Sequence, residues 1–255
     1  MLAGWLESGL DAGRVYVVEP SEAMADDTCR SLGITVVADA VSLDPDLIPG
    51  IVVFAVKPQA LDVVAPAYAR YSGSKTVFLS IAAGKSIPYF EDRLGDGSAI
   101  IRAMPNTPAA VRRGITVACA TAAVGDDQRR VADDLLTAVG EVAWVDDEEL
   151  IDAVTALSGG GPAYVFLLAE VMAQAGIDAG LPEDLAKRLA RVTVSGAGEL
   201  LHQALEPLEV LRENVTSPGG TTAEALKILM ANDGWLPLMT RAIAAATRRS
   251  KELAN

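Results

Sequence analysis

The chain has little of what several kinds of protein chemistry need. Its 255 residues include two cysteines, Cys29 and Cys119, and a single histidine, His202. The cysteines stand far apart with no metal-type spacing. That excludes a disulfide framework and a Cys/His zinc site, points to a reducing compartment and leaves no metal expected. Basic residues are also scarce: 21 Lys and Arg against 34 Asp and Glu leave a formal charge of −13. A phosphate backbone needs a basic face, so nucleic acid is not an expected partner. No block of like charges stands out, and the acidity reads as a solvated surface. Residues 1–10 lack a basic leader region, and no apolar run reaches the roughly 18 residues of a membrane span. The expectation is a cytoplasmic protein with no membrane partner. What is abundant is apolar: 51% of the chain, with only 5% aromatic. That suits an Ala/Val/Leu/Gly-rich α/β protein with one or two buried cores and is too high for disorder.

The first half alternates short apolar runs with helical segments. Residues 15–18, 34–37, 51–56, 76–81 and 99–103 read as buried strands, separated by helical stretches such as 21–32, 59–71 and 86–93. This alternation predicts a parallel, doubly wound sheet, its edge extended by 115–120 and 142–145 around a helix at 126–139. After Asp147 only helical periodicity remains, in segments such as 163–179, 183–205 and 221–231, broken by Gly and Pro clusters. The fold class is therefore α/β: a Rossmann-like doubly wound parallel sheet over residues 1–147, followed by an all-α dimerisation domain over 148–255. Several of the later helices are apolar on more than one face, and one small domain offers too few partners to cover them. An obligate dimer with interleaved helices is the expected solution.

A doubly wound nucleotide-binding domain normally opens with a strand and a G-x-G-x-x-G turn. Here Met1-Leu2-Ala3-Gly4-Trp5-Leu6 reads instead as the body of the helix that follows such a turn, and residues 14–19 read as the second strand. The expectation is a sequence short of one central strand and its turn, roughly 15–20 residues. The alternative is a short chain that does not bind dinucleotide.

Four motifs carry chemistry. Ala55-Val56-Lys57-Pro58-Gln59 closes the strongest early strand, so it should face a cofactor beyond the strand's carboxyl end; alone, it is equally a strand-ending proline turn. Arg102-Ala103-Met104-Pro105-Asn106-Thr107-Pro108 ends another strand. Its prolines fix where the Asn106 amide points, and that donor–acceptor pair suits a nicotinamide carboxamide or ribose; a rigid loop is the plainer alternative. Ser158-Gly159-Gly160-Gly161-Pro162-Ala163-Tyr164 permits close backbone approach by a ligand or by a neighbouring helix. In Ser217-Pro218-Gly219-Gly220-Thr221-Thr222 a glycine turn opens a helix. Free N–H groups, the positive helix end and hydroxyl donors there make a carboxylate site without Lys or Arg, unless Thr221 or Thr222 simply caps the helix. His202, Glu170, Trp5, Trp144 and Trp235 read as structural or surface residues.

The four motifs occur in one order, as AVKPQ, RAMPNTP, SGGGPAY and LRENVTSPGGTTAEAL, and together they closely resemble the pyrroline-5-carboxylate reductase family from Met1 to the C-terminus. The resemblance implies a Rossmann domain, a helical dimerisation domain often assembled into decamers, and NADPH or NADH as hydride donor to a small cyclic imino acid. It implies that Lys57 and Pro58, with Ala55 and Val56 beside them, line the cofactor and that Asn106 lies near its nicotinamide end. Ser217, Gly219, Gly220, Thr221 and Thr222 then bind the substrate carboxylate, with Thr222 hydrogen-bonded to the ring nitrogen and both subunits of a homodimer contributing. Gly160 stands where the family usually has serine. Glu19, ending the second strand, suits the free ribose hydroxyls of NADH, whereas Ser21 suits the 2′-phosphate of NADPH.

Overall fold

The computed structural model describes residues 1–22, 25, 32–73 and 75–254. Most of the helix expected at 21–32, with Cys29, lies outside the described residues.

The apolar runs form strands. β1 (Tyr16–Val18) pairs in parallel with β2 (Thr35–Val37). β3 (Ile51–Phe54), β4 (Val77–Ser80), β5 (Ile100–Met104), β6 (Gly114–Ala120) and β7 (Gly140–Trp144) make a five-stranded sheet in that order. Every pair is parallel except β5–β6. The short link between those two strands cannot hold the crossover of a dozen or more residues that parallel neighbours need, so β6 returns antiparallel. The sheet is thus Rossmann-like, in two pieces. Val18 from one piece and Val52 from the other pack on the same core.

Alternation along β4 builds both faces of that core. Phe78 joins Phe54, Phe90 and Tyr68 on one side, with Phe54 and Phe90 stacked at 5.5 Å between ring centroids. Val77 and Leu79 join Ile101, Ala118, Ala132 and Leu136 on the other. Each such side chain contributes about 1.5–3 kcal/mol on burial. Short helices cover the faces. In α1 (Leu2–Glu7) the Trp5 indole donates to the Leu135 carbonyl at 2.7 Å, docking it on α4 (Asp126–Thr137). The helical stretch expected at 59–71 becomes α2 (Leu61–Val64) between two 3-10 turns, because Pro66 lacks the N–H that a continuous helix needs. α3 (Ile87–Leu94) starts at Ser86, whose hydroxyl accepts the Tyr89 N–H, and stops at Gly95 with φ of 104°.

Gly140 is opposite Gly114 where β7 meets β6, at φ of 152°, and a Cβ there would collide with the Gly114 carbonyl. Gly140→Ala is expected to cost about 1–3 kcal/mol, as overpacking against fixed backbone does. The check is a urea titration showing a lower midpoint at unchanged slope.

The chain forms two compact units. One comprises Met1–Gly159 and Thr247–Asn255, and the other Gly160–Ala246. The first also holds α5 (Leu150–Val154) and a π turn at Thr155–Gly159. Within it, the Ser250 hydroxyl donates to the buried Asp152 carboxylate at 2.6 Å, fastening the returning C-terminal segment. The second is helical: α6 (Gly161–Asp178), α7 (Glu183–Gln203), α8 (Leu208–Asn214), α9 (Thr221–Leu229) and most of α10 (Trp235–Ala254). α6 and α7 pack closely at Gly176, where a Cβ would stand 3.3 Å from the Ala186 Cβ.

One expectation needs correction. Residues Leu150–Asp178 form one 29-residue helix of mean hydropathy 1.3, long and apolar enough by length and composition to cross a membrane. The glycines at 159–161 break the apolar run on paper, yet the helix continues across them: a π turn at Thr155–Gly159 leads through Gly160, the N-cap, into α6 at Gly161, with Pro162 in its first turn. Phe166 and Val171 on α6 and Leu200 on α7 remain 57–69% exposed within one chain.

Candidate active site

In the α/β unit the candidate residues sit just past the carboxyl ends of strands. Beyond β1, the Glu19 carboxylate folds back to accept the Ser21 N–H at 2.9 Å. Beyond β3, Ala55 and Val56 lead to an exposed Lys57, whose carbonyl accepts the Ala60 N–H while Pro58 opens a 3-10 turn. Beyond β5, the Asn106 side chain is held on both sides. Its Oδ1 accepts the Ile115 N–H at 3.0 Å, and its Nδ2 donates to the Ser158 hydroxyl at 3.1 Å. Since a backbone N–H can only donate, the orientation of this amide is set. Alongside, Met104 Cε packs over Gly159, 2.6 Å from where a Cβ would be, so a larger residue there would displace the methionine's end. The RAMPNTP and SGGGPAY motifs therefore meet through Asn106–Ser158 and Met104–Gly159.

Beneath this loop lies an ion pair that the motif reading passed over. Arg102 is only 5% exposed at its side chain and donates to Glu148 Oε1 at 2.7 Å, which also accepts the Ile87 N–H at 2.8 Å. An arginine inside the otherwise apolar run Ile100–Met104 was the available signal, because a charge in a buried strand requires a partner. Cys119, opposite Arg102 across β5–β6, is 1% exposed. Burial, and after it the Glu148 charge, push its thiol up to about 11, so it stays protonated and is not a nucleophile.

The helical unit holds the second group of candidate residues. Gly219 takes φ of 69°, a left-handed turn that favours glycine, and the Gly220 N–H closes it onto the Ser217 carbonyl at 3.0 Å. Gly220 is the N-cap of α9, and no side chain caps the helix. The capping alternative for Thr221 and Thr222 is thereby removed: both hydroxyls are exposed, next to the first-turn N–H groups and the positive helix end. Ser217 and Gly219 are exposed beside them. An anion with a hydrogen-bond acceptor fits this arrangement. His202 and Glu170 stand exposed on α7 and α6, away from any such cluster.

A Rossmann-like sheet in one unit and a helical dimerisation-type unit in the other are the make-up of a two-unit oxidoreductase class. The comparisons narrow this further. The family model described as pyrroline-5-carboxylate reductase dimerisation matches residues 148–253. The pyrroline-5-carboxylate reductase of Pseudomonas aeruginosa is 41% identical, the match covering 100% of this chain and 92% of that one. A solved pyrroline-5-carboxylate reductase from Coxiella burnetii superposes with a TM-score of 0.93 at 36% identity, covering 100% of this chain and 93% of the other. The Plasmodium falciparum pyrroline carboxylate reductase, solved with NADP bound, gives 0.81 at 28% identity over 99% and 92%. The chain belongs to the pyrroline-5-carboxylate reductase family.

Proposed function

We infer that the chain reduces the C=N bond of 1-pyrroline-5-carboxylate to give L-proline, with NADH or NADPH as hydride donor. The single observation that carries this reading is the Ser217–Thr222 turn, where two threonine hydroxyls and the free amides of a helix start stand together without a partner among the described residues. A planar cyclic imine bearing one carboxylate matches those donors: Ser217, Gly219, Gly220 and Thr221 take the carboxylate, and Thr222 takes the ring nitrogen. Family membership supports the same assignment.

A nicotinamide dinucleotide fits the α/β unit by the chemistry of its strand ends. Glu19 suits ribose hydroxyls, Ser21 and Lys57 suit phosphate oxygens, and Ala55, Val56 and Pro58 provide an apolar wall. Asn106 holds the loop at the reactive end. When bound, the dinucleotide supplies the hydride. The residues of this chain orient and exclude: a protonated imine is already electrophilic, so the protein needs to supply position and a hydrogen bond at nitrogen rather than a strong acid. The apolar faces of α6 and α7 support a homodimer, and the free thiol of the buried Cys119 supports a reducing, cytoplasmic location.

The test is steady-state reduction of pyrroline-5-carboxylate, set against other cyclic imines and β-hydroxyacids, by protein expressed from the native gene. Preferential turnover of another substrate overturns the assignment. A second experiment addresses the cofactor. Glu19 places a carboxylate at the end of β1, and a charge near a 2′-phosphate costs about 1–4 kcal/mol depending on solvation. Glu19→Gln is expected to raise the NADPH-to-NADH ratio of kcat/KM about tenfold; an unchanged ratio removes Glu19 from cofactor choice.

A further inference from the structure

Asn106 and Ser158 form a relay whose end has a free proton. The Asn106 amide is committed at both atoms, with Oδ1 to the Ile115 N–H and Nδ2 to the Ser158 oxygen. Ser158 therefore accepts through its oxygen, and its own hydroxyl proton makes no hydrogen bond to the protein among the described residues. The residue is half-buried and reachable, and it sits in the π turn Thr155–Gly159. Single π turns inside helices are frequent at functional sites. Here the turn carries Ser158 to the loop that follows the carboxyl end of β5, the edge of the sheet at which dinucleotides bind.

The geometry points to Ser158 as the residue that donates a hydrogen bond to the nicotinamide carboxamide oxygen, with Asn106 as the positioning residue that orients its hydroxyl. This rests on the dinucleotide reading above and moves the direct contact from Asn106 to its neighbour. The Asn106 N–H takes one lone pair of the serine oxygen and leaves the serine proton to be placed, and of the carboxamide's two polar groups only the carbonyl can accept that proton. Fixing that carbonyl fixes the rotation of the carboxamide and the tilt of the ring that delivers hydride.

Binding of the reduced dinucleotide, measured by calorimetry, tests the proposal without reference to the imino-acid substrate. The probes are the dinucleotide the protein prefers and its thionicotinamide analogue, whose sulfur is a weak acceptor. Ser158→Ala is expected to weaken binding of the natural dinucleotide about fivefold to tenfold and of the analogue by less than twofold. Asn106→Asp keeps the acceptor for the Ile115 N–H but reverses the bond to Ser158, so the serine proton turns inward. It should reproduce the Ser158→Ala loss, and the double variant should lose no more than either single one. Equal losses for the two probes, or no loss with the natural one, overturn the proposal. Should Asn106→Asp fail to fold, the Ser158→Ala comparison alone still decides. Tight dinucleotide binding without turnover of pyrroline-5-carboxylate would overturn the substrate assignment and leave this result standing.

Discussion

Thr222→Ala is expected to lower kcat/KM for pyrroline-5-carboxylate by about tenfold to 150-fold, the cost of one hydrogen bond of roughly 1–3 kcal/mol in the transition state. The argument starts at the helix end. Gly220 caps α9 without a side chain, so neither threonine is occupied with the first-turn amides. Thr222 stands exposed in the first turn, where its hydroxyl meets water or a ligand. Removing that hydroxyl breaks no hydrogen bond among the described residues, and alanine is the better helix former. The melting temperature should therefore hold or rise while activity falls, and that opposition separates a site residue from a structural one. Thr222→Ser should retain most of the rate, whereas the isosteric Thr222→Val should resemble alanine. Full kcat/KM in Thr222→Ala would remove the residue from the mechanism.

Much of this was legible in the chain because its signals are local. A β-branched run such as Ile51–Phe54 bounded by Gly50 and Pro58 can hardly be anything but a buried strand, and the glycine turn before Thr221 announces a helix start by composition alone. The order of four motifs then points to the family. Three features escaped for physical reasons. The antiparallel return of β6 is decided by the length of a link rather than by the strand's own residues. The continuity of Leu150–Asp178 depends on a π turn, which tolerates glycines that ordinarily end a helix, so an apparent break concealed a long apolar surface. The pairings Asn106–Ser158 and Arg102–Glu148 span 52 and 46 residues, distances over which sequence spacing conveys nothing about contact. The helices α8 and α10 were also not singled out, since their apolar positions are diluted by charge.

Arg102 and Glu148 lead to the largest expected effect on stability. The arginine side chain is 5% exposed and the glutamate 25%, so the two partners are not equivalent when one is lost. Glu148→Ala strands a guanidinium that cannot reach water and also deprives the Ile87 N–H, at the start of α3, of its acceptor. Breaking a buried pair from one side costs about 3–5 kcal/mol. At about 2–4 °C per kcal/mol for a chain of this size, the melting temperature should fall by about 6–20 °C. Arg102→Met should cost less, because the glutamate it leaves can turn toward solvent and keep the Ile87 bond. Joining Arg102→Met to Glu148→Gln should recover most of the loss, since the costly state is the unpaired buried charge rather than the absence of the pair. Activity should follow the same ranking: Arg102 lies on β5, and Asn106 follows the end of that strand, so a loosened strand blurs the loop proposed to face the dinucleotide. If Glu148→Ala unfolds within about 1 kcal/mol of the parent protein, the pair is solvated in solution and does not anchor that loop.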